Sequence, residues 1–312
     1  MMNDFWQKLV QQAKQTTLPF ESIYTSHVMP LDQFAVIEVA GKDASSFLQN
    51  LLTNDVNSLE IDQSQYTGFC NPKGRLLALF LLIRRQDCYQ IVLPKDVCQS
   101  FQQRLTMYVL RSKVTITSQS ENIAFIGLSQ THTETDNSIQ PAIVKIPDNK
   151  RGLLLAPIDL LEQYYEQIIQ AGYQLAPSSL WESLDINAGI AKVTTETQEK
   201  FTPQQVNLDL SDGVSFKKGC YPGQEVVARL HYLGNPSRRM FVAQAKSDVL
   251  PAIGSDIKTI DGTIAGHIVN AIQQDANSIK VLASLKLSEH EQELVINDDS
   301  QLVITKQPEQ AS

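Results

Sequence analysis

The run Lys217-Lys218-Gly219-Cys220-Tyr221-Pro222-Gly223-Gln224-Glu225-Val226-Val227-Ala228-Arg229 sets a thiol, an amide, a carboxylate and three cations around one turn. Pro222-Gly223 suits a type II turn, because proline presets the first central φ and glycine accepts the positive second one. The turn would fold Cys220 and Tyr221 back against Gln224 and Glu225. Val226, Val227, Ala228 and Leu230 could then start a helix whose first amides lie near the thiol. Such a helix end, with Lys217, Lys218 and Arg229, favours thiolate over thiol. The residues leave a second reading open, in which Cys220 only fills a small apolar gap in a loop.

Cys70, Cys88 and Cys98 complete the cysteines, with neither CxxC spacing nor the density of a disulfide scaffold. A cluster scaffold draws three or four closely spaced thiolates, so this chain alone is not expected to hold one. Cys88 and Cys98 fall in strand-like and helix-like stretches and read as buried small hydrophobes. Cys70 and Cys220 each sit in a Gly/Pro-rich loop with basic residues, and sequence leaves open whether they share a site. His27, His132, His231, His267 and His290 form no spaced ligand set, so no metal is predicted. His231 is near Cys220 in sequence only, and an imidazole–thiol pair is not expected.

Lys-Gly-Cys-Tyr-x-Gly-Gln-Glu followed by Ala-Arg resembles the signature of the YgfZ family, folate-binding proteins that support iron–sulfur enzymes and tRNA modification. Phe201-Thr202-Pro203-Gln204 and Asn207-Leu208-Asp209 resemble the elements that precede that signature. Asn187-Ala188-Gly189-Ile190 is similar to the family's Glu-Ala-Gly segment. Asn54-Asp55-Val56 and Cys70-Asn71-Pro72-Lys73-Gly74-Arg75 match two further elements in the expected order.

The resemblance implies tetrahydrofolate or a one-carbon derivative as cofactor. Partners would be iron–sulfur proteins such as a tRNA methylthiotransferase, and the chain would be a cytoplasmic monomer. It implies Cys220 as the functional thiol, and Phe34, Trp181, Lys218, Tyr221, Gln224, Glu225 and Arg229 as cofactor-binding residues. Phe34 stands where the family carries tryptophan, so stacking there would be weaker or differently shaped. Lys218 would meet ligand charge. Glu225 would cap the following helix rather than act as a base, and Gln224 could face a pterin edge or buried backbone. A conventional enzyme is not implied; any catalysis would be tetrahydrofolate-dependent one-carbon or thiol redox chemistry.

Two alternatives stand beside this reading. One is the aminomethyltransferase (T-protein) of glycine cleavage, which the family resembles. That reaction needs an acid near the folate nitrogen, and the stretch after residue 76 carries Leu-Leu-Ile-Arg-Arg instead of an acidic pair. The other is a non-catalytic interaction scaffold.

The elements that must position these residues are legible in part. With 312 residues and 42% hydrophobic content, the chain can build two or three packed modules. A net charge of -8 and a pI near 5.2 speak against broad nucleic-acid binding, which needs a cationic surface. No targeting segment is evident. The longest apolar run, Leu76 to Ile83, is far too short to span a bilayer and reads as a buried strand.

Strands are expected at 34–39, 65–70, 76–84, 89–93, 114–117 and 123–128, with Asn71-Pro72-Lys73-Gly74 as a turn. Helices are expected at 44–52 with Asp43 as N-cap, at 96–110 along Val97, Phe101, Leu105 and Tyr108, and at 160–171 and 179–188. Residues 129–140 read as a surface loop, 143–155 as a hairpin and 190–212 as a long irregular stretch. Beyond 240 the pattern is short β pieces with turns. The expected fold is α+β: a T-protein-like folate-binding fold of interleaved mixed α/β domains over residues 1–239, with a C-terminal β-barrel in 240–312.

Overall fold

The computed structural model describes residues 3–16, 25–130, 143–148, 150–234, 236–297 and 300–308. Most of the loop expected at 129–140 lies outside the described residues. The chain forms two compact units that interleave: 1–44, 58–65 and 81–181 make the first, and 45–57, 66–80 and 182–312 the second.

The first unit opens with helix α1 (Asp4–Gln15), capped by the Asn3 side chain, which accepts the Phe5 N–H. Trp6, Leu9 and Ala13 lie at helical spacing and are buried. They join Val28, Ile126, Leu154, Leu161 and Ile168 in one apolar cluster. That core lines a sheet in the order β10-β1-β7-β9-β8, with β1 His27–Pro30, β7 Ile123–Ser129, β8 Val144–Lys145, β9 Arg151–Pro157 and β10 Gln174–Leu175. The hairpin turn between β8 and β9 is held by Asp148, whose carboxylate accepts the Lys150 and Arg151 amides. Helix α4 (Leu161–Gln170) follows β9.

A second sheet runs β3-β4-β5-β2-β6, with β2 Phe34–Ala40, β3 Ser64–Cys70, β4 Leu76–Arg84, β5 Cys88–Pro94 and β6 Thr115–Ser118. β4 is buried at every position but its last, as a continuous apolar run requires. Helix α3 (Lys95–Thr106) buries Val97, Cys98, Phe101 and Leu105, each large side chain contributing about 1.5–3 kcal/mol. It ends at Thr106, short of the expected residue 110. Tyr108 is therefore off the stripe and exposed, and Leu110 takes a positive φ of 43° in the turn beyond.

The second unit holds the short helix α2 (Ala44–Gln49) and helix α5 (Ser178–Ala188), which begins at the end of the first unit. The carboxylate of Asp43, expected to cap α2, accepts the Lys113 N–H at 2.8 Å within the first unit. Residues 190–212 are irregular except for a 3-10 helix at Pro203–Val206. They are not loosely held, since Val193, Phe201, Val206 and Leu208 are buried with Leu76, Val227, Met240 and Leu282.

After helix α6 (Gln224–Tyr232) comes a closed six-stranded barrel, β11-β14-β13-β12-β15-β16. Its strands are β11 Arg238–Lys246, β12 Asp256–Thr259, β13 Ile264–Asp275, β14 Ser278–Lys286, β15 Leu294–Ile296 and β16 Ser300–Lys306. Alternation separates its faces. Phe241, Ala243, Val281 and Leu285 fill the barrel, while Met240, Val242 and Leu282 join the unit's other core. No described helix is long and apolar enough to cross a membrane.

Candidate functional site

The second unit brings three of the singled-out segments together. Tyr221-Pro222-Gly223-Gln224 is a type II turn: Gly223 has φ 80° and ψ 1°, and the Gln224 N–H donates to the Tyr221 carbonyl at 3.1 Å. Glycine is needed twice over here. A β-carbon on Gly223 would overlap the Asn71 carbonyl oxygen and come within 2.7 Å of Gly74 Cα.

The facing turn is tied by Asn71, whose side-chain oxygen accepts the Lys73 and Arg75 amides at 2.9 and 3.0 Å. A β-carbon on Gly74 would lie 2.9 Å from Val226. Two turns that are distant in sequence thus pack glycine to glycine.

The third segment, Asn54-Asp55-Val56, is joined through Lys218. Its ammonium donates to the carbonyls of Gln49, Leu52 and Asn54 at 2.6, 2.6 and 3.0 Å. These carbonyls end helix α2 and the turns after it, where a cation is favoured. Burial draws Lys218 down to about 8, with the Asp55 carboxylate opposing. All three ammonium protons are engaged. Lys218 therefore differs from the expected ligand-facing cation: it clamps the Cys220 segment to residues 49–54. Thr53 and Asn54 reinforce the clamp by donating to the carbonyls of Gly213 and Asp212 at 2.8 and 2.6 Å.

Around this clamp the side chains divide by exposure. Cys220 is exposed, whereas Cys70, the last residue of β3, is fully buried. Burial pushes the Cys70 thiol up to about 12. Tyr221 is buried, its hydroxyl raised by burial and then by nearby Cys70, and its ring centroid is 5.4 Å from the Lys218 ammonium. Glu225 and Arg229 are exposed on α6 and Gln224 half-exposed. The cap expected of Glu225 is absent: Gly223 is the N-cap, with no side-chain bond. Glu225 contributes only a negative charge in the first helical turn. His231 stacks on Phe216, ring centroids 3.7 Å apart, away from any role as base to the thiol.

In the first unit, Phe34 is half-exposed at the start of β2, paired with Pro94 of β5. Trp181 is 4% exposed. Its ring lies over Gly127, where a β-carbon would come within 2.5 Å, and the Arg151 guanidinium sits 4.5 Å from its centroid.

Several polar residues of the motifs prove to be braces, a role sequence reasoning missed. Gln204 donates to the Val227 carbonyl at 2.8 Å. Asn207 exchanges bonds with the Met240 backbone at 2.7 and 3.1 Å, in a left-handed conformation at φ 56°. Asp209 accepts a two-pronged bond from Arg239 at 2.6 and 3.0 Å. The available signal was the apolar residues Phe201, Val206, Leu208 and Leu210 interspersed among them, which mark a stretch that packs despite its irregular pattern.

Residues 25–130 match the GCVT N-terminal domain family. A tRNA-modifying protein YgfZ from Photobacterium profundum is 31% identical over 242 residues, 73% of each chain. Another from Yersinia enterocolitica is 27% identical and covers 95% of this chain and 97% of its own. Among solved structures, the glycine cleavage system aminomethyltransferase T from Bartonella henselae superposes with a TM-score of 0.74. It covers 96% of this chain and 88% of its own at 14% identity, a likeness of fold.

Proposed function

The chain belongs to the YgfZ family of tRNA-modifying proteins, and from that premise we propose that it is a folate-binding accessory protein. It supports assembly or repair of iron–sulfur enzymes, and through them tRNA modification, with Cys220 as the working thiol. The observation that carries this reading is the contrast among the cysteines. Cys220 alone of the four is exposed, at a doubly glycine-dependent turn. A packing cysteine would be buried, as Cys70 and Cys98 are.

The donor set of the second unit suits a reduced folate. Gln224 offers an amide donor and acceptor for a pterin edge, and the exposed Arg229 guanidinium suits a carboxylate tail. Tyr221 backs the turn, and Glu225 adds charge at the helix start. Lys218 acts by holding the loop. Phe34 and Trp181 are proposed as apolar contacts on the first unit. Tetrahydrofolate, when bound, supplies a one-carbon carrier or a reductant. The protein works in the cytoplasm beside an iron–sulfur partner.

The deciding experiment is an anaerobic titration of tetrahydrofolate and its formyl and methyl forms against the Trp6→Phe variant, following Trp181 fluorescence. Saturable quenching, with matching heat by calorimetry, supports folate as ligand. Absence of both removes folate and leaves a Cys220-bearing scaffold. Cys220→Ser in cells then separates thiol chemistry, which abolishes support of the iron–sulfur enzymes, from scaffolding, which keeps it.

A further inference from the structure

Arg75, Lys200, Arg238 and His267 meet in the second unit from three separate parts of its fold. Arg75 donates to the Lys200 carbonyl at 2.6 Å and to the Gln205 side chain at 3.5 Å. The Lys200 ammonium rests on Gly254, where a β-carbon would stand 2.5 Å from Nζ. The Gly254 amide in turn donates to the carbonyl of Ile268, the neighbour of His267.

The barrel supplies the other wall. Met240, Ser284, His267 and Asp256 fall in one cross-strand row of β11, β14, β13 and β12. Arg238, two residues before Met240, shares their face. Ser284 on that face donates to the Gln205 carbonyl at 2.9 Å, which turns the face toward the 200–205 segment carrying Lys200.

Charge in this group is out of balance. Its acidic neighbours among the described residues are Asp256 and Glu196. The Oδ1 of Asp256 lies 3.1 Å from His267 Nδ1 and pairs with it as an ion only when the imidazole is protonated. The Glu196 carboxyl is within electrostatic reach of Lys200. Neighbouring cations are matched differently: Arg239 has Asp209, and Lys192 has Asp185 and Glu182. The imbalance registers in the groups themselves. Arg238 is lowered by burial and next by Arg75. His267 is lowered by burial and next by Arg238, with Lys200 adding to it and Asp256 opposing. Like charges held together on a chain of net charge -8 are relieved by a multivalent anion. Two guanidinium groups and an ammonium match a tetrahedral oxyanion better than a single carboxylate.

We propose that Arg75, Lys200, Arg238 and His267 form a phosphate-binding site, taking either a backbone phosphate of RNA or a small polyphosphate. The site is independent of the folate reading, since none of its residues is among those assigned to folate or to the thiol. The turn that carries Arg75 also carries Gly74, which packs on Val226 in the helix following Cys220. A phosphate held there is connected to the Cys220 segment through one tight turn.

The test uses the full chain, a short fluorescein-labelled single-stranded RNA, tripolyphosphate, and an oligoglutamate peptide as carboxylate control. Anisotropy follows the RNA, and calorimetry the two small anions. The wild type is compared with Lys200→Gln, with Lys200→Gln/Arg238→Gln, and with Lys8→Gln as a remote charge control. Each lost cation should weaken binding about tenfold and reduce the salt slope for RNA by about one. Lys8→Gln should leave binding unchanged.

Binding of RNA alone assigns the site to a nucleic-acid backbone, and binding of tripolyphosphate alone to a small phosphate ligand; both support the proposal. Lys200 is exposed, so the single variant keeps the test valid where the double variant fails to fold. The proposal is overturned if neither phosphate probe binds, if Lys200→Gln binds both like wild type, or if oligoglutamate binds as tightly as tripolyphosphate.

Discussion

Gly223 and Asn71 are in backbone contact so close that no β-carbon fits between them. Residues 152 positions apart by number are thereby fixed as a pair of turns, and Cys220 is presented from one of them. Gly223→Ala combines two costs: an L-residue at φ 80°, about 1–2 kcal/mol, and displacement of a backbone carbonyl that cannot swing aside as a side chain would. A total loss of about 2–4 kcal/mol is expected by urea unfolding. A variant as stable as wild type would mean that the two turns are not held together.

The cysteines should separate cleanly under alkylation. Burial raises the Cys70 thiol to about 12 and the Cys88 thiol to about 11, and lifts Cys98 as well. Each stays protonated and unreactive in mildly alkaline buffer. Iodoacetamide on the native chain at about pH 8 should give one adduct, at Cys220, by peptide mass spectrometry. Comparable labelling of Cys70 would contradict the buried thiol and weaken the assignment of Cys220 as the working one.

What was readable in the sequence follows the range of the interactions. β4 and the barrel strands were legible because apolar run and alternation are local signals. The type II turn was legible because Pro222-Gly223 sets its own dihedrals. The end of α3 was not, since the apolar spacing through Tyr108 continues past Thr106 while the backbone turns at Leu110. The clamp made by Lys218 is not legible either. Its carbonyl partners lie 164 to 169 residues earlier, and no local pattern marks a backbone carbonyl as an acceptor in need of a cation. The same applies to Gln204 and Asn207, whose polar side chains read only as motif residues in an irregular stretch until their backbone partners are known.

Lys218→Met tests the clamp. Removing the ammonium leaves three carbonyls without their donor, which should cost about 2–3 kcal/mol near neutral pH. Its pH dependence has a definite sign. The unfolded side chain keeps its proton up to about 10.5, and the folded one releases it near 8. Between these values the unfolded chain holds more protons, so the Lys218 contribution to stability rises with pH, and it is level below the window. The difference between wild type and Lys218→Met, measured by urea unfolding across that range, should carry a positive slope above about pH 8. A difference that falls with pH would show that the group is not desolvated.

Gly127→Ala probes Trp181 without touching it. A methyl there would stand 2.5 and 2.7 Å from two Trp181 ring carbons and 3.0 Å from Leu31. The ring must shift, at a cost of about 1–3 kcal/mol. In a Trp6→Phe background the emission of Trp181 should move to the red as the ring leaves its cover. An unchanged spectrum with unchanged stability would mean that the Trp181 pocket is looser than its packing against Gly127 requires.

His267 reports on the cationic cluster directly. In the free protein its imidazole lies below the ordinary histidine value because burial, Arg238 and Lys200 outweigh Asp256. An unfolded His267 therefore takes a proton first as pH falls, so this group costs stability progressively below about pH 6.5. A bound phosphate reverses the local balance, adding negative charge where Arg238 and Lys200 had repelled a proton. The midpoint of His267, followed by NMR, should then rise on saturation with tripolyphosphate and stay in place when sodium chloride is added to the same ionic strength. By linkage, affinity for a non-titrating phosphodiester should strengthen as pH is lowered through that midpoint. An equal rise with sodium chloride would indicate general charge screening, and a fixed His267 would place any bound phosphate elsewhere.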